Sequence, residues 1–447
     1  MVSPLASSGR SRASAAAPAS TAAPSPHPRH SARDRITRRS VLAAGGALAA
    51  AAGLAGCGAS RPSVTLYQSK PEAVPHFREL VTDFNGEQND YRYVHDIATN
   101  LSASFVRHSP PDIACQNYNL EMARFMERGA LSDLSDMPVA STIRSDVQDL
   151  ADWYPTYEGR TSVIPYSVTA ASVIYNKGLF AEYDLEVPTT WEEFLNVCET
   201  FKDAGITPIY GTFREPWTIT QGLFDYTVGG MVDVRSFFDS MNSIGADVGP
   251  DSEVSFQKTL LEPVRRMVSL LDFHNDDASS RGYGDGNTAI AAGKAAMYFQ
   301  GPWAIAEIDK IESDVELGTF PLPMTDDPKD LKIRVNIDLS LWIPEASDQI
   351  DGARELLNHL MEPTLQNAYN KDFLAFGTTK DAPPVTDERI APMQKYYDDG
   401  AFYMGVSQLI PLTIPYDNYV QSIVFGADPE PVLARLDSDW ARLAYRQ

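Results

Sequence analysis

Carboxylates are the most numerous side chains in this chain that could take part in catalysis. Asp and Glu together supply 60 of the 447 residues. Two of them could flank and hydrolyse a glycosidic bond, but in so acidic a chain some suitable pair is expected by chance. The chain contains no Gly-x-Ser-x-Gly, no His-Glu-x-x-His and no phosphate-binding loop. We therefore predict no catalytic residue, metal site or cofactor, and a secreted glycan-acting enzyme remains only an alternative.

Aromatic side chains are the second group of residues that could have a functional role, in ligand binding. Trp, Tyr and Phe make up 10% of the chain, enough to fill hydrophobic cores and still line a pocket. A sugar ring has an apolar C–H face and a rim of hydroxyl groups. A site for it combines flat aromatic walls with short polar side chains, or with carboxylates that accept from two hydroxyls. An anionic ligand would instead require a cluster of arginines.

Residues 1–56 have the composition of an export signal rather than of a folded domain. The first 30 residues are mostly Ala, Ser, Pro and Arg and predict a disordered leader. Arg38 and Arg39 precede an uncharged run from Val41 to Gly56, shorter than the ~20 residues that a membrane-spanning helix needs. This is the layout of a signal peptide. The arginine pair also resembles a twin-arginine signal, so export by that route or by the general route stays open.

The end of the apolar run indicates a lipid anchor. Leu54-Ala55-Gly56-Cys57 resembles the bacterial lipobox, in which the cysteine is lipidated and becomes the new N-terminus. We predict lipidation at Cys57 and attachment to the outer face of the cell membrane through the lipid alone. Removal of residues 1–56, which carry seven of the 37 basic and one of the 60 acidic residues, leaves a net charge of −29. Such a charge repels phosphate backbones, so no nucleic acid is expected as a partner.

The rest of the chain, about 390 residues, is too long for one hydrophobic core and predicts two domains. Short strands alternate with amphipathic helices, which predicts α/β layers. The clearest helix starts at Thr190, which with Glu193 can form a capping box, and ends at Gly205. Strands are predicted at 63–69, 112–115, 172–175, 206–210, 295–299 and 335–343. Helices are predicted at 75–85, 120–128, 179–183, 191–204, 288–292, 302–311, 349–361 and 429–443.

Several short segments occur in a fixed order along the chain. They are Ile164-Pro165-Tyr166, Val173 to Phe180, Pro188 to Phe194, Gly205 to Ile209, Gly293 to Met297, Gly301-Pro302-Trp303 and Ile343 to Ser347. In this order the series resembles the carbohydrate branch of the extracellular solute-binding proteins, the maltose-binding-protein-like family of bacterial ABC importers. The resemblance extends from about Ser63 to the C-terminus.

The resemblance implies an α/β fold of two lobes, the type II periplasmic-binding-protein-like fold. Hinge strands join the lobes, and the cleft between them closes around a ligand. The crossings are expected near 166–170, 336–340 and 378–384. Lobe one would then comprise 61–168 plus 338–380, and lobe two 169–337 plus 381–447.

The resemblance also implies particular ligand contacts. Trp303 follows Gly-Pro where the family places a stacking tryptophan, and Glu215 and Trp217 match its Glu-Pro-aromatic segment. Core packing is the alternative role for both tryptophans. Loop segments after two strands add charged and amide contacts: Lys70, Glu72, Asn117 and Asn119. The last cleft-facing segment of the family adds Tyr416, Asp417 and Tyr419. Two more aromatic candidates, for which core or surface packing is equally compatible, are Trp342 and Tyr283.

The expected ligand is a neutral sugar, and a polyamine, which acids and aromatic rings of this acidic chain could enclose, is an alternative ligand. Among the matching segments, only Arg214 could face an anion, whereas aromatic and amide side chains are common. The maltose pattern has acids near Asn119 and at Thr169 that this chain lacks, which argues against maltodextrin. The expected partner is an ABC import permease, and the expected state is a monomer. A sensory or scaffold lipoprotein of the same fold remains an alternative. Whether Cys115 and Cys198 pair stays open.

Overall fold

Nine strands and seventeen α-helices make up the part of the chain that the computed structural model describes, residues 61–311 and 313–444. The leader, the export signal and Cys57 lie outside the described residues. The strands are β1 (Ser63–Tyr67), β2 (Arg92–Asp96), β3 (Ile113–Gln116), β4 (Ile164–Asn176), β5 (Thr207–Tyr210), β6 (Ala295–Gln300), β7 (Leu317–Phe320), β8 (Ile333–Trp342) and β9 (Phe402–Met404).

The helices surround these strands. The first nine are α1 (Val74–Glu87), α2 (Leu101–Val106), α3 (Leu120–Glu127), α4 (Ser145–Asp152), α5 (Lys177–Glu182), α6 (Trp191–Asp203), α7 (Pro216–Thr218), α8 (Asp225–Met231) and α9 (Val234–Ile244). The remainder are α10 (Phe256–Ser269), α11 (Tyr283–Ala291), α12 (Pro302–Ile308), α13 (Ile350–Leu360), α14 (Pro363–Asp372), α15 (Gln394–Asp398), α16 (Tyr416–Val424) and α17 (Pro429–Ala444).

Two long strands connect two groups of shorter ones. The order along the sheet is β2-β1-β3-β8-β4-β6-β5, with β7 also on β4 and β9 also on β8. The first part of β4, residues 164–171, pairs with β8, whereas residues 172–176 pair with β6 and β7. The C-terminal end of β8, residues 340–342, pairs antiparallel with β3. Strand β4 therefore connects the group of β5, β6 and β7 to β8, and β8 connects to the group of β1, β2 and β3, so the two long strands form the centre of the fold.

Local sequence signals account for the elements that border this centre. Thr190 accepts a hydrogen bond from the backbone N–H of Glu193, whose side chain accepts from the Thr190 N–H, so the predicted capping box is present at α6. The two central strands are buried almost throughout. Five strands were predicted close to their observed bounds, whereas the strand predicted at 172–175 is only the last part of β4, and β2, β7 and β9 were not predicted.

Two predicted helices differ clearly from the observed ones in extent, and several observed helices were not predicted. Residues 288–292 were predicted as helical, and they are the end of the longer α11. Helix α12 ends at Ile308, three residues before its predicted end. Residues 225–269, which received no prediction, contain α8, α9 and α10. Among the described residues, no helix combines the length and the apolar composition that crossing a membrane requires.

A buried ion pair connects β8 to α8. The Nε of Arg334 lies 2.7 Å from Oδ2 of Asp225 in α8, and neither side chain is exposed. The Asp225 carboxylate also accepts from the backbone N–H and the hydroxyl of Ser407, at 2.8 and 2.7 Å. A Cβ on Gly405 would lie 2.4 Å from Oδ2 of Asp225. Only glycine therefore allows this loop to pack against the pair.

The two cysteines of the described region do not form a disulfide. Cys115 in β3 and Cys198 in α6 are both buried free thiols. Burial raises the pKa of both, because an apolar environment disfavours the thiolate. They behave as small hydrophobic core residues.

Candidate functional site

A cavity of about 660 Å³ lies beside the middle of β4 and β8. Both central strands contribute to its wall, through Thr169 of β4 and Asn336 and Asp338 of β8. We call it the aromatic cavity. Seven of the residues predicted to contact a ligand line it, although they come from widely separated parts of the chain: Lys70, Glu72, Asn117, Asn119, Trp217, Tyr283 and Trp303.

Trp303 stands at the start of α12, directly after β6. Pro302 occupies the first helical turn, where its missing N–H costs nothing. The indole Nε1 of Trp303 donates to Oε1 of Gln300 at 3.1 Å. This hydrogen bond fixes the orientation of a ring that is only partly buried. Its uncovered part faces the cavity, where it can supply an apolar surface for a sugar ring.

Trp217 and Tyr283 form a second aromatic wall. Their ring centroids lie 5.1 Å apart at an interplanar angle of 57°. The indole Nε1 of Trp217 donates to Oε2 of Glu215 at 3.1 Å. Glu215, which was predicted as a ligand contact, does not itself line the cavity but holds the indole that does. The segment that follows is a π-helical turn, Ile219–Phe224, which places Gln221 in the same cavity.

Close packing fixes the position of this π-helical turn. A Cβ on Gly222 would lie 2.2 Å from the carbonyl oxygen of Phe299 in β6. Backbone cannot yield to such a contact, so glycine is required here. The turn can therefore approach β6 closely enough to bring Gln221 to the cavity.

The floor of the aromatic cavity carries a network of charges. The Nζ of Lys70 lies 2.7 Å from Oδ1 of Asp338 and 3.4 Å from Oε1 of Glu72. The hydroxyls of Ser167 and Tyr369 donate to Oδ2 of Asp338 at 3.2 and 3.1 Å. Burial opposes the charge on Lys70, but the two carboxylates outweigh it and raise its pKa. Lys70 is therefore a fixed cation at this site.

Amide side chains complete the floor. The Nδ2 of Asn117 donates to the backbone carbonyl of Asp338 at 2.5 Å. Asn119 caps α3, because its Oδ1 accepts from the N–H groups of Glu121 and Met122 at 3.0 and 3.1 Å. Its amide nitrogen is left to donate to other partners. Within the described ranges, no group of three or more His, Cys, Asp and Glu side chains is arranged to hold a metal ion.

Comparison with known proteins identifies the family to which this chain belongs. The family model described as "Bacterial extracellular solute-binding protein" matches residues 70–367, which is more than half of the chain. The chain belongs to the bacterial extracellular solute-binding protein family. The matched region includes both central strands and most of the residues that line the aromatic cavity.

Relatives and solved structures agree with this assignment. The solute-binding protein is 23% identical to the "Multiple sugar-binding protein" of Streptococcus mutans over 356 residues, 76% of this chain and 82% of the relative. The apo form of RafE from Streptococcus pneumoniae superposes with a TM-score of 0.73 at 17% identity, covering 86% of this chain and 98% of RafE. RafE in complex with raffinose gives 0.71 at 18% identity, with 86% and 99% covered. The fold is therefore the two-lobed type II fold, with a ligand cleft between its lobes.

Two predicted contacts of the solute-binding protein line a neighbouring cavity instead. Tyr416 and Asp417 face a cavity of about 410 Å³, which we call the middle cavity. Asp417 accepts from the hydroxyl of Thr220 at 2.6 Å, and burial raises the pKa of its carboxyl. The middle cavity shares Asn119, Gln221 and Gln408 with the aromatic cavity.

Two other predicted residues lie outside both cavities. The hydroxyl of Tyr419 donates to Oδ2 of Asp439 in α17 at 2.6 Å, and Arg435 covers its ring. Trp342 is completely buried at the end of β8, where it is paired with Ala114 and packs near Phe105. The end of β8 that contains Trp342 is buried, so this tryptophan is a core residue.

Sequence reasoning also missed residues that the solute-binding protein places in the aromatic cavity. Asp338 and Asn336 were expected only as part of a lobe crossing, and Gln221 and Gln408 were not considered. The predicted lobe crossing at 336–340 could have indicated these two residues, because polar side chains in a central buried strand need partners or a ligand. No comparable local signal marks Gln221 or Gln408.

Proposed function

We propose that this protein captures a carbohydrate in the aromatic cavity and delivers it to an ABC import permease. The observation that carries the proposal is the combination of Trp217, Trp303 and Tyr283 with a polar floor in one cavity. Aromatic rings suit the apolar face of a sugar, and amides and carboxylates suit its hydroxyls. The sugars in the names of similar proteins, such as raffinose with RafE, support the same class of ligand.

We further propose that the protein works at the outer face of the membrane, held by a lipid on Cys57 after export. The lipobox-like sequence before Cys57 and the basic residues before the apolar run support this arrangement. Export by the twin-arginine route and action as a monomer belong to the same proposal.

Capture would proceed by hinge closure without chemistry. The proposed lobes are 61–168 plus 338–380 and 169–337 plus 381–447, so that the aromatic cavity lies at their junction. The pairing of β4 with β6 and β7 on one side and with β8, which itself pairs with β3, on the other supports a hinge here. A ligand that contacts both lobes would favour the closed state.

Calorimetric titration with a panel of neutral mono- and oligosaccharides tests this function. We expect at least one sugar to bind, the radius of gyration in small-angle scattering to fall on binding, and the sugar to be recovered intact. A polyamine that binds while every sugar fails would contradict the sugar proposal. Repeated turnover of a sugar to cleaved product would place the protein among the enzymes.

A further inference from the structure

We propose that the ligand cleft continues into a basic groove that holds the acidic end of an oligosaccharide. This inference rests on the proposed function, because the neutral part of the same sugar would occupy the aromatic cavity. It concerns a concave surface of about 850 Å³, which we call the distal groove. Nothing in the sequence motifs pointed to it.

Shared wall residues join the distal groove to the cleft. The middle cavity shares Asn119, Gln221 and Gln408 with the aromatic cavity. At its other end it shares Leu120, Arg124 and Pro411 with the distal groove. The three concave surfaces therefore adjoin one another, and we call the series the trough.

Helix α3 forms one wall along this trough. Asn119 caps its first turn beside the aromatic cavity, Arg124 lies further along, and Arg128 follows its last residue. The eight residues of α3 extend about 12 Å at 1.5 Å per residue. A sugar chain that starts at Trp303 can thus continue along α3 and beyond the first cavity.

The charge of the trough changes along its length. The aromatic cavity contains two lysines against five carboxylates: Lys70, Lys310, Glu72, Glu307, Asp309, Asp338 and Asp372. The middle cavity has two carboxylates beside Arg124: Glu121 and Asp417. The distal groove reverses the balance, with three arginines against two carboxylates: Arg124, Arg128, Arg235, Glu127 and Asp239. In a chain of net charge −23, such a local excess of arginine favours an anion.

One arginine of the distal groove lies over an aromatic ring. The guanidinium of Arg235 lies 5.5 Å from the ring centroid of Trp153, and both residues line the groove. Its Nε is 3.9 Å from the exposed Asp239 carboxylate, too far for a strong hydrogen bond. The guanidinium can therefore bind a carboxylate on a sugar, for which its planar donors are well suited.

A sugar chain with a carboxylate at one end matches the opposite charge balances at the two ends of the trough. A fully neutral oligosaccharide would make no use of the arginines, and a fully anionic one would meet the carboxylates of the aromatic cavity. We therefore expect neutral rings at Trp303 and Trp217 and a terminal uronic acid at Arg124 and Arg235. This refines the expectation of a wholly neutral ligand, which rested on Arg214 being the only arginine in the matching segments.

Matched pairs of ligands test the proposal on the mature protein. Each tri- to pentasaccharide of a panel is titrated as the neutral sugar and as the uronate made by oxidising the terminal primary hydroxyl. We expect the uronate to bind about 5- to 30-fold more tightly at low ionic strength, and this preference to shrink as salt is added. Uronates that bind no more tightly than their neutral parents would overturn the proposal.

Substitution of the groove arginines tests whether the preference for uronates over neutral sugars arises in the distal groove. In the double variant Arg124→Gln, Arg235→Gln the uronate should bind no more tightly than its neutral parent, because the charges that distinguish the two ligands are removed. The control Arg265→Gln changes an exposed arginine of α10 outside the trough and should keep the preference. A preference that survives in the double variant would refute the groove. Failure of both sugar forms to bind would refute the proposed function itself.

Discussion

The ammonium of Lys70 lies 2.7 Å from the carboxylate of Asp338, although 268 positions separate the two residues in the chain. Lys70 is in the loop after β1, and Asp338 is in the central strand β8. Only 13% of the Lys70 side chain and 7% of the Asp338 side chain are exposed. Water therefore screens this ion pair weakly, and each partner depends on the other.

Asp338→Asn should lower the free energy of unfolding by about 1–3 kcal/mol, because it leaves a largely buried ammonium without its main partner. Glu72→Gln is the matched control, since it removes the more exposed and more distant carboxylate, at 3.4 Å. It should cost less than half as much. Denaturant unfolding measures both variants, and an Asp338→Asn protein as stable as the wild type would show that the pair contributes nothing.

Trp303→Ala should weaken sugar binding by about 2–4 kcal/mol, or some 30- to 1000-fold, because the stacking surface and the hydrophobic burial are both lost. Trp303→Phe should retain part of the affinity, since a flat ring remains. Titration calorimetry with the best sugar of the panel, beside a thermal melt, gives both quantities. An alanine variant that binds like wild type would remove Trp303 from the site.

Trp191 provides a control for the role of Trp303. It is also partly buried and stands at the start of a helix, but it packs on Phe194 and Arg266, away from the aromatic cavity. Trp191→Ala should lower the melting temperature with sugar affinity unchanged at a temperature where the variant is folded. The opposite pattern, lost affinity with an unchanged melt, would contradict the assigned roles.

His274 should make the fold sensitive to mild acid. Burial lowers its pKa to about 4, and its ring is packed near Phe213 and Phe299. Between that value and the ~6.5 of an unfolded histidine, the unfolded chain binds a proton that the folded one does not, so stability falls as pH falls. His274→Phe should remove up to about 3 kcal/mol of the stability lost between pH 7 and pH 4. Denaturant unfolding at a series of pH values checks this, and an unchanged pH slope would contradict it.

Cys57→Ala should release the protein from the membrane fraction, because the proposed anchor is the lipid on that residue. Sugar affinity should stay the same, since residue 57 precedes the described region that contains the cleft. Fractionation with an alkaline wash measures the release. A variant that remains in the membrane pellet would refute the lipid anchor.

Local sequence was sufficient for much of the secondary structure. The helix predicted at 191–204 is α6 (Trp191–Asp203), because its capping box and its apolar spacing lie within one short segment. The strand predicted at 295–299 is β6, bounded by Gly293 and Gly301 for the same reason. The ordered series of family segments likewise led to the two-lobed α/β fold, since each segment marks one element.

Contacts between distant segments were beyond such reasoning. Trp342 was a candidate for the cleft. Apolar and polar residues alternate along β8 and place Trp342 on the same face as Asn336 and Asp338, but the alternation does not reveal which part of that face is covered, and Trp342 is completely buried. Asp338 lies in the same strand, and its importance emerges only when Lys70, Ser167 and Tyr369 converge on it.

The sequence by itself determined the export signal pattern, the elements with clear local signals and the short motifs that contain Trp217 and Trp303, because each depends on neighbours within a few residues. The tertiary structure alone decided which charges face each other. Arg124 and Arg235 come from α3 and α9, yet both line the distal groove. Their shared position depends on how the helices pack around β4 and β8, and packing over such separations leaves no periodic trace in the chain.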